Sequence, residues 1–146
     1  TSDVVLDQRF EHEGRTLAYD DFGNGPDVVV YIHGLLMDSE LNRAMARSLA
    51  EQGHRVLLLD LLGHGRSDKP VHASQYRMDA YADQAVALLD HLDVDAAVFG
   101  GVSLGANVSL MVATRRSTSR SNARRRRFPP CSWCTPSVAS NATGWG

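Results

Sequence analysis

Residues 99–105 read Phe-Gly-Gly-Val-Ser-Leu-Gly, and the last five of them fit the pattern G-x-S-x-G. We predict a strand at 96–100 before this pattern and a helix at about 104–114 after it. A sharp strand-to-helix turn of this kind holds its serine in a strained conformation above the strand ends. Ser103 is therefore the candidate nucleophile, and Gly101 and Gly105 are the small residues that allow the turn.

Upstream of this turn, residues 27–32 (Asp-Val-Val-Val-Tyr-Ile) form a continuous apolar run that is typical of a strand buried in a parallel sheet. His33, Gly34 and Leu35 follow directly. A sharp strand-to-helix turn that carries a serine is called a nucleophile elbow. Two backbone N–H groups bind the oxyanion beside such an elbow: one from the loop after an earlier strand, and one from the residue after the serine. We expect the N–H groups of Leu35 and Leu104 to stabilise a developing oxyanion. We expect His33 to orient the loop rather than to act as a base.

The remaining patterns within residues 1–113 alternate between strand and helix. We predict two extended segments at 4–13 and 15–22, a helix at about 38–51, a strand at 55–60 and a helix at about 75–91. Strands that alternate with helices in this way form a parallel sheet through right-handed crossovers. The predicted fold class is α/β.

Three motifs, at residues 27–35, 60–70 and 99–105, resemble the α/β-hydrolase superfamily in their order and spacing. The resemblance covers about three quarters of the chain and identifies its first 113 residues as similar to the amino-terminal half of such an enzyme. It implies a sheet with a leading antiparallel pair, and small-molecule substrates such as esters, thioesters or lactones. It implies no metal and no cofactor. An aspartate at the elbow would suggest dehalogenase or epoxide hydrolase relatives, and Ser103 argues against both.

The chain departs from the family pattern after the serine. The family order is serine, then acid, then histidine, but no Asp, Glu or His follows Asp95 in this sequence. His64, His72 and His91 are candidates to replace the missing histidine, and we expect each to be a surface or loop residue instead. We therefore expect a serine hydrolase scaffold that is nearly inactive. A cofactor-free haloperoxidase or a carbon–carbon bond hydrolase with the same elbow is the alternative within the fold.

Composition divides the chain near residue 113. The net charge of −2 hides a split, since residues 1–113 carry all 17 acidic residues and residues 114–146 carry only basic charges. The second stretch holds no Leu, Ile, Met, Asp, Glu, Lys or His and is rich in Arg, Ser and Pro. We interpret 1–113 as the hydrolase part and 114–146 as an aberrant tail from a frameshift, or else a disordered tail. The strand at 96–100 would then be an open edge, which favours aggregation.

Three short motifs in the tail each suggest a function, and we favour none of these functions. Arg124 to Arg127 form a basic run, Cys131 and Cys134 form a C-x-x-C pair, and Asn141 begins a glycosylation sequon. A non-catalytic remnant whose Arg-rich tail binds nucleic acid is the alternative from another functional class. We expect no nucleic-acid partner and no membrane partner. The acidic start of the chain does not resemble a secretory signal, so we expect a cytoplasmic location.

Overall fold

A computed structural model of the chain describes residues 3–119. The tail motifs at residues 124–127, 131–134 and 141–143 lie outside this part, so the predictions for them stay predictions. The described strands and helices, in chain order, are β1 (Val4–His12), β2 (Arg15–Phe22), β3 (Val28–Ile32), α1 (Arg43–Glu51), β4 (Arg55–Asp60), α2 (Met78–His91), β5 (Val98–Gly101) and α3 (Leu104–Ser119).

The five strands form one mixed sheet in the order β1-β2-β4-β3-β5. β1 pairs with β2 and β2 pairs with β4 in antiparallel fashion, whereas β3 lies parallel to both β4 and β5. The structure therefore confirms the predicted α/β class, the leading antiparallel pair and the parallel strands that follow it. β5 lies at one edge of the described sheet, and its Val98 is 56% exposed.

The core lies on both faces of the sheet because the central strands are apolar on both sides. β4 reads Arg-Val-Leu-Leu-Leu-Asp, and its last five residues are buried. One face packs against α2 and α3 in a cluster that includes Leu57, Leu59 and Leu88. The other face packs against α1 through Val56, Leu58 and Ala46. A strand buried on both faces needs no alternation of polar residues, which explains the uninterrupted run.

The helix boundaries differ from the predicted ones. α1 begins at Arg43 rather than near residue 38, after a short 3₁₀ turn at Glu40–Asn42. The Asp38 carboxylate accepts the Glu40 N–H at 3.0 Å, and such local bonds compete with the start of a helix. α3 continues to Ser119 rather than ending near residue 114. Neither Gly nor Pro occurs between Gly105 and Pro129, so no helix-breaking residue stops α3 there.

None of the helices in the described part of the chain combines the length and apolar character needed to cross a bilayer. Within residues 3–119, no three His, Cys, Asp or Glu side chains are grouped so that they could hold a metal ion.

Candidate active site

Ser103 lies in the two-residue connection between β5 and α3, at the carboxyl end of the parallel strands. Its φ angle is +54°, a left-handed conformation that costs a residue with a side chain roughly 1–2 kcal/mol. The residue is exposed. A strained, exposed serine between a strand and a helix has the geometry of a nucleophile elbow.

The glycine two residues after the serine lets α3 approach the end of β3. A Cβ atom on Gly105 would lie 2.0 Å from the Ile32 carbonyl oxygen, and one on Gly101 would lie 2.6 Å from the same oxygen. Both distances are shorter than any real contact of a methyl group with an oxygen, so these positions require glycine. The close packing places the first turn of α3 beside the loop that follows β3.

Residues 34–38, which we name the oxyanion loop, lie against the elbow. A Cβ atom on Gly34 would be 3.4 Å from the Val102 carbonyl oxygen. The loop turns through a hydrogen bond from the Met37 N–H to the Gly34 carbonyl at 3.1 Å, and Leu36 has a φ of +60°. A positive φ at the third residue of a four-residue turn is typical of type II. Leu35 occupies the second position of this turn and is 60% exposed.

The two proposed backbone donors therefore belong to adjoining segments. Leu104 is the first residue of α3, and the first N–H groups of a helix have no partner within the helix. The Leu35 N–H makes no hydrogen bond to any other described residue. Backbone N–H groups at a helix start and in a neighbouring loop can stabilise an anion that develops next to them.

His33 is buried and joins the oxyanion loop to the residue after β4. Its Nδ1–H donates to the Gly34 carbonyl at 2.8 Å, and its Nε2 accepts the Leu61 N–H at 3.0 Å. With one ring nitrogen donating and the other accepting, the imidazole is neutral. Burial lowers the pKa of His33 below its ordinary value of 6.5, and the nearby His64 lowers it further. A neutral ring with both nitrogens engaged is suited to orienting a loop, which is the role expected for it.

The three histidines considered as replacements for the missing triad histidine lie in different environments. His64 lies in the loop after β4, as expected, but it is buried there, and its ring centroid lies 4.8 Å from that of His33. Its Nδ1 pairs with the Leu62 carbonyl at 3.1 Å, while its buried Nε2 has no hydrogen-bond partner among the described residues. His72 is exposed. His91 stacks on Phe10 of β1, and β1 forms the edge of the sheet opposite β5.

Sequence reasoning missed a network of buried charges beside the oxyanion loop. Asp20 in β2 and Asp60 at the end of β4 are both fully buried. The Arg66 guanidinium donates to Asp60 at 2.9 Å and to Asp20 at 2.8 Å, and Arg43 donates to Asp20 at 2.8 Å. Asp7 also pairs with Arg66. Aspartates within otherwise apolar strands were the available signal, because buried carboxylates require partners.

The network keeps these carboxylates ionised. Burial opposes ionisation of Asp60, but hydrogen bonds from Ser39 and Arg66 outweigh it and lower its pKa below 3.8. For Asp20 the same opposition from burial is outweighed by Arg43 and Arg66, so its pKa is also lowered. Burial would lower the pKa of Arg66, but its bonds to Asp20 and Asp7 raise it above its ordinary value. At neutral pH the site therefore contains charged groups whose geometry is fixed by hydrogen bonds.

Comparison with known proteins identifies a family and several relatives that the chain resembles. A family model described as the alpha/beta hydrolase fold matches residues 27–121. A haloalkane dehalogenase from Mycolicibacterium paratuberculosis is 33% identical over 93 residues, which are 64% of this chain and 31% of that protein. A 2-hydroxymuconate semialdehyde hydrolase from a Pseudomonas species is 34% identical over 93 residues, 64% of this chain and 29% of that protein.

A solved structure gives the same result at the level of the fold. The crystal structure of an epoxide hydrolase from Vigna radiata superposes with a TM-score of 0.72 at 26% identity, covering 76% of this chain and 36% of the other. The chain spans about a third of the length of these relatives.

Proposed function

Because the chain belongs to the α/β-hydrolase fold family, we propose that Ser103 is the nucleophile of a serine hydrolase acting on an ester or a related acyl substrate. The observation that carries this proposal is the strained φ of +54° at Ser103, exposed between β5 and the first turn of α3. A serine is held in such a conformation only where the surrounding structure imposes it. The similarity to a dehalogenase and an epoxide hydrolase is a family similarity, and the serine argues against both activities here.

In the proposed reaction the Ser103 Oγ attacks the substrate carbonyl carbon and loses its proton to a base. The carbonyl oxygen becomes an alkoxide that accepts hydrogen bonds from the N–H groups of Leu35 and Leu104. As this intermediate collapses, the bond to the alcohol oxygen breaks, that oxygen takes the proton from the protonated base, and an acyl group stays on Ser103. Water then loses a proton to the base and attacks the acyl carbon, and Ser103 Oγ takes that proton back as the carboxylic acid leaves. Each backbone donor contributes roughly a hundredfold or more to the rate.

The base is the part of the reaction that this sequence does not supply in the family order. No Asp, Glu or His follows Asp95, and loss of the triad histidine costs about a millionfold in comparable enzymes. We propose that the chain alone turns over its substrate very slowly. The exposed Ser103 leaves room for a small base from solution, so added imidazole should replace the missing side chain in part.

The test is covalent labelling of the 146-residue chain with a fluorophosphonate in the presence of increasing imidazole. We expect the label on Ser103, identified by peptide mass spectrometry, with a rate that rises with imidazole concentration. Ser103→Ala should not be labelled there, and the chain unfolded in urea should lose the imidazole-dependent rate. Labelling spread over other serines, or an equal rate in the unfolded chain, would show that the elbow is not a nucleophilic site.

A carbon–carbon bond hydrolase is the second candidate, and one observation favours it. A relative at 34% identity is a 2-hydroxymuconate semialdehyde hydrolase. Aryl esters and 2-hydroxymuconate semialdehyde, each added with imidazole, separate the two functions. An ester hydrolase should form an acyl adduct on Ser103 from the ester alone, whereas a carbon–carbon hydrolase should cleave the semialdehyde faster than it cleaves the ester. A cofactor-free haloperoxidase remains the other alternative within this fold.

A further inference from the structure

One end of the oxyanion loop is fixed by His33. The ring nitrogen Nε2 accepts the Leu61 N–H at 3.0 Å, and Leu61 directly follows the last residue of β4. The other nitrogen donates to the carbonyl of Gly34, the first residue of the loop. The imidazole therefore links the start of the loop to the neighbouring strand.

The other end of the loop is fixed by Ser39. The Ser39 N–H donates to Asp60 Oδ1 at 2.8 Å, and the Ser39 hydroxyl accepts from Arg66 Nη2 at 2.8 Å. Ser39 is 2% exposed, so water does not compete for these bonds. Residues 60–66, at the end of β4 and directly after it, thus hold the loop at both ends, with Leu35 between them.

The anchoring segment, residues 60–66, is itself held by hydrogen bonds between Asp60 and Arg66. The second oxygen of Asp60 accepts the Arg66 N–H at 3.1 Å and the Arg66 Nε at 2.9 Å. A Cβ atom on Gly65 would lie 2.5 Å from that oxygen, so the backbone approaches the carboxylate as closely as glycine allows. Arg66 also binds Asp20 of β2. A buried polar network with its members paired holds one arrangement of the chain.

We propose that Asp60, Arg66 and His33 are positioning residues that hold the Leu35 N–H in place for acylation of Ser103, an inference that rests on the proposed function. They act through the backbone of the oxyanion loop, which they fix at both ends. An oxyanion donor is effective only when it is preorganised, and displacement by about 1 Å costs on the order of a hundredfold in rate. Release of either end allows such a displacement.

The experiment measures the rate constant of imidazole-assisted phosphonylation of Ser103 in variants of the full chain. His33→Leu removes the acceptor of the Leu61 N–H, whereas His33→Gln places an amide oxygen near the position of Nε2. We expect the rate constant of His33→Leu to fall at least tenfold, by the sensitivity of preorganised donors to displacement. His33→Gln should recover most of it. Asp60→Asn should behave like His33→Leu.

Arg55→Met is the matched control. Arg55 forms a bidentate pair with Asp21 at the opposite end of β4, at 3.1 and 2.7 Å, and does not contact the oxyanion loop. Its loss should lower the free energy of unfolding but leave the rate constant of the folded chain at the wild-type value. Urea unfolding of each variant gives the folded fraction by which the labelling rates are corrected.

The outcomes distinguish failure of the positioning role from failure of the proposed function. If Asp60→Asn does not fold, Ser39→Ala and His33→Leu carry the test, because Ser39→Ala removes only the hydroxyl that accepts from Arg66. If the variants of His33, Ser39 and Asp60 lose stability like Arg55→Met but acylate Ser103 at the wild-type rate, the positioning role alone is overturned. Absence of labelling on Ser103 in the wild-type chain would overturn the proposed function, and the inference with it.

Discussion

Leu35 contributes to the candidate site through its backbone N–H, and the effect of its side chain can be tested separately. The residue occupies the second position of a type II turn, where proline fits because its φ is near the required −60°. Leu35→Pro therefore removes the N–H and keeps the turn. Leu35→Ala keeps the N–H and removes the side chain.

We predict that Leu35→Pro lowers the imidazole-assisted acylation rate of Ser103 by about a hundredfold, the usual effect of removing one oxyanion donor. Leu35→Ala should stay close to the wild-type rate. Both rates are measured by mass spectrometry of the labelled peptide, with circular dichroism to show that the variants fold. Equal rates for the two variants would exclude the Leu35 N–H as a donor.

Among single residues, those that belong to a local motif could be predicted from the sequence, whereas those whose partners lie far away in the chain could not. Ser103, Gly101 and Gly105 follow from five consecutive letters with a strand before them and a helix after them. Asp60 and Arg66 lie in the motif at residues 60–70, but Asp20 and Ser39, which bind them, lie elsewhere in the chain. Arg66 binds Asp20, which is 46 residues away in β2, a strand that pairs with β4, and Arg66 follows β4 in the chain.

The junction between β5 and α3 requires a residue without a side chain at position 105, in the first turn of α3. Alanine normally favours a helix over glycine by about 1 kcal/mol. At Gly105, however, its methyl group would lie 2.0 Å from the Ile32 carbonyl, and backbone cannot move as a flexible side chain can. Gly100, three residues before the serine, is a matched site, since a methyl group there meets only the Tyr31 ring at 3.6 Å.

We predict that Gly105→Ala lowers the free energy of unfolding by about 1–3 kcal/mol, the usual cost of overpacking. Gly100→Ala should change it little, because 3.6 Å is an ordinary contact. Urea unfolding monitored by circular dichroism measures both. A stable Gly105→Ala chain would mean that α3 does not pack against the end of β3 as closely as described.

The elements themselves could be predicted from the sequence where one local signal dominates. The apolar runs of β3 and β4 have no competing interpretation once helices separate them. The start of α1 could not be predicted, because the helical spacing of Leu41, Met45 and Leu49 does not show where the helix begins. Asp38 and Ser39, which the prediction included, are engaged in other bonds. The Ser39 N–H, for example, is bonded to Asp60, 21 residues away.

The change in composition near residue 113 does not coincide with the end of the last helix or with the end of the family match. α3 continues to Ser119, and the family match continues to residue 121, so both extend past the change. The interpretation of residues 114–146 as frameshifted stays a prediction, which resequencing the gene around the codon of Ala113 would test. The described part has a fold that the sequence predicted, because its strands and helices alternate regularly.

The pH dependence of stability reports on the buried groups of the whole described fold. His33 has a pKa below 6.5 in the folded chain, through burial and the neighbouring His64, although Asp60 and Asp38 oppose that effect. As the pH falls below 6.5, the unfolded chain therefore binds a proton first and stability decreases. Asp20 and Asp60 have pKa values below 3.8 when folded, so a second loss of stability follows as the pH falls below 3.8.

We predict that the free energy of unfolding is highest near neutral pH and decreases in these two steps toward acid. His33→Gln does not titrate, so it should flatten the dependence just below pH 6.5 and keep the loss below pH 3.8 that comes from the buried aspartates. Urea unfolding of the wild type and this variant at a series of pH values measures both steps. If the two proteins have the same slope just below pH 6.5, His33 is not the neutral, buried link between the oxyanion loop and β4.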